Sequence, residues 1–301
     1  MRTRDDFLAE LEQFGPETSH RPYTLWEAQN YCRKLARSHY ENFTVVSFLL
    51  PKKFRVPFFT VYAYCRWADD LGDELGSANR SLELLDWWES ELHRAYKRSK
   101  IVRPDTEGER FVHPVFVALE ELFRNFPALV PEPFADLLEA FRLDQTVKRY
   151  DTYEELLDYC RYSANPVGRI LLSIMKKAPT ASDFRWSDSL CTGLQLANFW
   201  QDVRRDTELG RSYIPEDVAL RYSSFREMMK DLVEDARDRL KKGRKLVRRV
   251  PRKFRTDIKL FIEGGLAILR RIEKIDYQVD ETRPTVTRGD YLWMMIKVYL
   301  V

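Results

Sequence analysis

Two pairs of aspartates constrain this chain more than any other feature. Asp69 and Asp73 stand four residues apart, as do Asp202 and Asp206 about 130 residues further on. Each pair follows an apolar run that reads as helix, Tyr62-Ala63-Tyr64-Cys65 before the first and Leu194 to Trp200 before the second. Helical residues four apart share a face, with Cβ atoms roughly 5–6 Å apart. Two bare carboxylates at that spacing repel and weaken their own helix. A positive partner must offset the repulsion, and a hard divalent cation such as Mg²⁺ is the natural candidate. Acids at the end of an apolar stripe are better placed at a cavity mouth than in open water. One such turn alone would say little, since surface helices often carry acid clusters.

The rest of the chain agrees with helix. Glycine is scarce, 11 in 301 residues, while Leu, Glu, Lys and Arg are abundant. Periodicity and caps predict helices over 3–14, 25–37, 54–75, 80–98, 112–126, 132–149, 152–175, 183–208, 223–249, 252–278 and 289–300. Thr24 and Glu27 form an expected capping box. The 54–75 stretch is apolar nearly all round, as a central bundle helix would be. Pro166 falls inside 152–175 and predicts either a kink or a break. No strand alternation, repeat or long linker interrupts the pattern. The expectation is one all-α domain over residues 1–301.

Cys32, Cys65, Cys160 and Cys191 are in apolar helical contexts without a CxxC pair, which predicts reduced, buried thiols and a cytoplasmic protein. Met1 to Gln13 lacks the apolar core of a signal peptide. No run reaches the roughly 18 apolar residues of a membrane span. Residues 239–255 hold ten Lys or Arg in seventeen. They read either as a solvated helix face or as a docking surface for an anionic membrane. No nucleic-acid motif accompanies them.

Acidic pairs of this kind can hold Mg²⁺ through one or two carboxylates each and leave positions for phosphate oxygens. Metal bound to a diphosphate stabilises it as a leaving group. Loss of diphosphate from an allylic hydrocarbon leaves a carbocation, which aromatic faces would stabilise and shield from water. Aromatics make up 13% of the chain and gather around Phe43, Phe58, Phe59, Tyr62, Tyr64, Phe199 and Trp200. Each alone is as well explained by core packing.

The combination Tyr62-x-x-Cys65-Arg66-x-x-Asp69-Asp70-x-x-Asp73 with Gln195-x-x-Asn198-x-x-x-Asp202-x-x-x-Asp206 resembles the squalene/phytoene synthase family. Asp144, Arg149-Tyr150, Tyr159-Cys160 and Gly210-Arg211-x-Tyr213-Ile214-Pro215 support it, over about residues 28–290. The resemblance implies an all-α isoprenoid-synthase fold and Mg²⁺-dependent chemistry on prenyl diphosphates. By position, it makes Asp69, Asp73, Asp202 and Asp206 metal and catalytic residues, with Asn198 a further metal ligand. It places Arg66, Asp70, Asp144, Gln195 and Asn198 on the diphosphate or metal, and Arg211 and Tyr213 on a covering loop. It puts His39, Phe43, Tyr62 and Tyr159 at the substrate entrance and pocket, Tyr62 and Tyr159 among the catalytic residues.

Departures narrow the resemblance. Ser163-Ala164-Asn165-Pro166 stands where many members have Val-Ala-Gly, Gln201 where carotenoid-forming members often have Arg, and Tyr40 and Asn42 replace serines. Together with His39 to Phe43 these resemble the bacterial hopanoid-pathway branch. In that branch a paired enzyme makes presqualene diphosphate and this member adds water to give hydroxysqualene. NADPH is not expected. Asn165 and Gln201 would suit a more polar pocket that admits water. The alternatives are condensation of two farnesyl diphosphates to squalene or dehydrosqualene, and a non-catalytic assembly factor of the same fold at a membrane.

Overall fold

The computed structural model describes residues 3–18, 22–38, 51–101, 113–285 and 287. His39, Phe43, the run Val45 to Leu50 and the expected helix 289–300 lie outside the described residues. Among the described residues every regular element is a helix. The chain divides into two compact units, Met1–Gln145 and Thr146–Val301.

The first unit carries α1 (Arg4–Phe14), α2 (Leu25–Ser38), α3 (Lys52–Asp73), α4 (Ala78–Ser99), α5 (Pro114–Asn125) and α6 (Glu132–Thr146). The expected box opens α2: Glu27 N–H donates to Thr24 Oγ1 at 3.2 Å, and Thr24 N–H donates to the Glu27 carboxylate at 2.9 Å. Helix α3 is the core of the unit, packed by α2, α4 and α5, with 13 of its 22 residues buried. Its Trp67 stacks on Trp88 at 5.6 Å. His113 meets the Trp67 ring edge-on at 4.3 Å, and its Nδ1 caps α5 by accepting from Val115 N–H at 3.1 Å. Tyr64 donates its hydroxyl to the Phe134 carbonyl at 3.1 Å and so fixes α6 against α3.

The second unit carries α7 (Tyr153–Ser163), α8 (Asn165–Met175), α9 (Ala181–Glu208), α10 (Glu216–Ala219), α11 (Phe225–Gly243), a 3₁₀ turn (Arg244–Arg248) and α12 (Arg252–Lys274). Helix α9 packs against α7, α8, α11, α12 and the 3₁₀ turn. Small residues let the partners come close. A Cβ on Gly193 would sit 3.0 Å from Leu240 N, in the α11 backbone. A Cβ on Gly168 would sit 2.5 Å from Cys191 Sγ and closer still to Ser187 Oγ. Asp183 anchors the start of α9 with 0% exposure. It accepts from Thr180 N–H and Oγ1 at 2.8 Å each, from Arg249 Nε at 2.9 Å, and from Lys176. These donors hold its carboxyl below the usual range against the effect of burial, which raises it.

Several boundaries differ from expectation. The 152–175 stretch is two helices broken at Ala164, because Pro166 sits in the first turn of α8, where no N–H is needed. The 223–249 stretch leaves α-helix at Gly243 and tightens into the 3₁₀ turn. Helix α12 stops at Lys274, followed by left-handed Asp276 and Tyr277, at φ 53° and 65°. Four-residue α10 is too short for periodicity to register. In the basic segment Arg239, Lys241, Arg244 and Arg249 are engaged in ion pairs, which favours the solvated-face reading for those four. All four cysteines are free thiols, Cys32 and Cys160 buried and Cys65 and Cys191 half-buried. Among the described residues no helix is long and apolar enough to cross a membrane.

Asp183→Asn leaves two cations without their carboxylate and should cost about 3–5 kcal/mol at neutral pH. A depressed carboxyl stabilises the fold above its unfolded pKa of ~3.9, and that contribution fades as pH falls through the lower folded value. Denaturation curves of the two proteins should therefore converge in strong acid. Gly168→Ala should cost about 1–3 kcal/mol by overpacking α8 on α9, read by the same method.

Candidate functional site

The first acidic turn closes α3. Arg66 donates from one Nη to Asp69 at 2.8 Å and from the other to Asp70. Asp70 is 1% exposed, so its carboxylate is an internal counter-charge for Arg66. Asp69 is half-buried and Asp73 exposed, one helical turn apart. Burial pushes the Asp69 carboxyl up to about 7. Arg66 opposes that, and the negative charges of Asp73, Asp70 and Asp144 add to it. Asp144 is brought there because the adjacent Gln145 donates its amide to the Gly72 and Phe141 carbonyls at 3.0 Å each. Tyr62 is half-buried on the same helix, and burial raises its phenol, which stays protonated.

The second acidic turn closes α9. Asp202 is 6% exposed and receives Arg283 through Nε at 2.5 Å and Nη2 at 3.3 Å. Asp206 is half-buried. Burial first and the Asp202 charge second push its carboxyl up to about 6. Gln195 and Asn198 lie on the same ridge of α9, at successive i+3 and i+4 steps toward Asp202 and Asp206. Gly210, at φ 73°, turns the chain, and Arg211 N–H donates to the Asp206 carbonyl at 2.8 Å. The loop that follows is laced to residues 148–151. Ser212, Glu216 and Asp217 N–H groups donate to the Lys148, Tyr150 and Asp151 carbonyls at 2.9, 3.0 and 2.9 Å. Tyr213 then stacks on Phe199 at 3.9 Å and 9°, with Tyr159 and Tyr150 each 6.0 Å from it.

Two hollows lie in the second unit, the first beside this turn and the second two or more helical turns back along α9. A polar recess of about 480 Å³ is lined by Arg149, Tyr150, Thr207, Arg211, Ser212 and their neighbours. An apolar pocket of about 100 Å³ lies between α8, α9, α12 and the 3₁₀ turn, walled by residues that include Val167, Leu171, Leu190, Cys191, Leu194 and Phe261. Asn165 is buried beside Thr192, whose hydroxyl donates to its Oδ1 at 2.9 Å.

The structure thus groups Tyr62, Arg66, Asp69, Asp70, Asp73 and Asp144 in the first unit. It groups Tyr159, Asn165, Gln195, Asn198, Asp202, Asp206, Arg211 and Tyr213 in the second. Sequence reasoning missed the strap that follows α12. Besides the Arg283 pair, Gln201 donates to the Pro284 carbonyl at 2.6 Å and Arg204 to the Glu281 carbonyl at 2.5 Å. The strap gives the Gln201 amide a structural partner that the sequence did not show. Only the Thr282-Arg283-Pro284 break marked it in the sequence.

The donor chemistry fits Mg²⁺. Both turns present hard oxygen ligands whose mutual repulsion a cation would relieve. Among the described residues no three His, Cys, Asp or Glu side chains converge into a protein-only cage.

Comparison with known proteins gives the same direction. Residues 36–290 match the family model described as squalene/phytoene synthase. A hydroxysqualene synthase of Rhodopseudomonas palustris is 39% identical over 59% of this chain and 56% of its own length. The match therefore spans little more than half the length of that relative. The crystal structure of squalene synthase HpnC from Alicyclobacillus acidocaldarius is 38% identical, with a TM-score of 0.77 over 84% of this chain and 95% of that one. A ligand-bound dehydrosqualene synthase shares the fold at 24% identity and TM-score 0.78, covering 92% and 96%.

Arg283→Gln removes the counter-charge of Asp202 and should lower stability by about 1–3 kcal/mol. Millimolar Mg²⁺ should raise the melting temperature of this variant more than that of the unsubstituted protein, as thermal melts with and without the ion would read.

Proposed function

Because the chain belongs to the squalene/phytoene synthase family, we propose that it is an Mg²⁺-dependent enzyme that ionises presqualene diphosphate and captures the cation with water, giving hydroxysqualene. One observation carries this reading. A single face of α9 supplies Leu190, Cys191 and Leu194 to the apolar pocket, then Gln195, Asn198, Asp202 and Asp206 along the adjoining ridge. That face describes an amphiphile with a hydrocarbon body and a metal-bound anionic head. The naming of the relatives above as hydroxysqualene and squalene synthases supports the same class.

Each residue then has a task. Asp69, Asp73, Asp202, Asp206 and Asn198 would hold Mg²⁺, which when bound neutralises the departing diphosphate. Arg66, Gln195 and Arg211 bind and orient the phosphate oxygens, with Asp70 and Asp144 setting the charge around Arg66 and Asp69. Phe199, Tyr159 and Tyr213 form an aromatic wall beside the second turn, able to stabilise a cation and exclude bulk water. His39 and Phe43 complete the substrate entrance, and Asn165 the polar part of the pocket. Both units serve this one activity as a single synthase domain.

The enzyme would take its substrate from a partner that makes presqualene diphosphate. We place it in the cytoplasm, at a membrane surface where its apolar product can be released. The exposed Lys242, Lys245, Arg248 and Arg252 support attraction to anionic lipid.

Purified protein incubated with presqualene diphosphate and Mg²⁺ should yield hydroxysqualene by mass spectrometry. Squalene or dehydrosqualene from farnesyl diphosphate alone would favour the condensing alternative. The double variant Asp69→Asn, Asp73→Asn should lose at least about 10²-fold in rate, the scale of losing a main electrostatic stabiliser. Undiminished product formation would remove the metal-site account and restore the assembly-factor reading.

A further inference from the structure

Helical hydroxyls in this chain characteristically bond back to their own helix. Thr60 donates to the Val56 carbonyl at 3.1 Å, Ser173 to Arg169 at 2.9 Å and Thr207 to Val203 at 2.8 Å. Ser163 does not. Its Oγ is buried at the end of α7 and is, among the described residues, the only buried side-chain hydroxyl without a partner. Leaving a buried hydroxyl unpaired is unfavourable, and water is the usual remedy.

The surroundings give that position a use. Tyr159, one turn earlier, packs 6.2 Å from Phe199 beside the second acidic turn. Asn165, two residues later, accepts from Thr192 at 2.9 Å. The two contacts run in opposite order along α9, and Ser163 lies in the chain between the residues that make them, which bracket Thr192 to Phe199. Leu194 and Cys191 on α9, and Val167 one turn past Ser163, already wall the apolar pocket. Ser163 therefore stands where the hydrocarbon-lined part of the site gives way to the anion-binding part. A cation left by departing diphosphate forms at that boundary.

We propose that Ser163 Oγ, together with the Asn165 amide that Thr192 holds in place, binds the water molecule that captures the carbocation. This rests on the reading of the chain as a hydroxysqualene-forming enzyme and adds the residues that decide alcohol over hydrocarbon. Ser163 Oγ and the second lone pair of Asn165 Oδ1 accept the water's O–H groups and turn its own lone pair toward the cationic carbon. That lone pair forms the C–O bond, and the proton the water sheds passes to the released diphosphate. Nothing is oxidised or reduced. Without a held water, the cation loses a proton from carbon to the same diphosphate and ends as a polyene.

The test uses the full chain with presqualene diphosphate and Mg²⁺ in ¹⁸O-labelled water, reading diphosphate release and the ratio of labelled alcohol to hydrocarbon. Ser163→Ala and Thr192→Val should release diphosphate while the alcohol fraction drops about tenfold, the scale of one lost buried hydrogen bond. Thr192→Ser, which keeps the donor, should retain the alcohol. Thr192→Val leaves Ser163 in place and preserves side-chain shape, so it decides the matter if Ser163→Ala fails to fold. An unchanged alcohol fraction in Thr192→Val, or in a folded Ser163→Ala, overturns the water site alone. No alcohol from the unsubstituted protein overturns the parent reading, and this one with it.

Discussion

Buried carboxylates must be neutralised, and in this protein the means of neutralisation organises the structure. Asp70 is held by Arg66, Asp202 by Arg283, and Asp183 by Lys176 and Arg249. The Arg66–Asp70 pair lies within one helix, while the Asp202 and Asp183 pairings tie a helix end to a cation on another segment. At the two acidic turns, burial pushes half-buried Asp69 up to about 7 and half-buried Asp206 up to about 6. Asp70 is thus satisfied within the protein, while Asp69 and Asp206 carry a cost that a divalent ion would relieve. Buried ion pairs add little net stability compared with apolar packing, but they fix geometry once made.

Helix α9 bears most of that geometry. Its first turn is anchored by Asp183, its middle is approached closely by α8 and α11 through Gly168 and Gly193, and its end carries Asp202 and Asp206. Because all three parts belong to one rigid element, the spacing between apolar pocket and acidic turn is set by helix rise alone.

Much of this was legible beforehand, for definable reasons. The acidic turns, the cap at Thr24 and the apolar stretch of α3 are local signals, each carried by residues within one or two turns. Pro166 announced a disruption at α7–α8, but whether it kinked or broke depended on the docking of Asn165 against Thr192, 27 residues away. Arg283 lies 81 residues from Asp202, and no spacing rule connects them. The partner of Gln201, a backbone carbonyl on that distant strap, was invisible in the sequence for the same reason. The orphaned Ser163 hydroxyl is a property of packing and has no sequence signature at all.

The lacing of residues 212–217 to residues 148–151 sets the tempo of the second turn. A loop that covers a ligand by swinging its backbone would first have to break those bonds, a rearrangement of the microsecond-to-millisecond kind. The Arg211 side chain, by contrast, can re-orient about its own bonds without breaking the backbone bonds that tie residues 212–217 to residues 148–151.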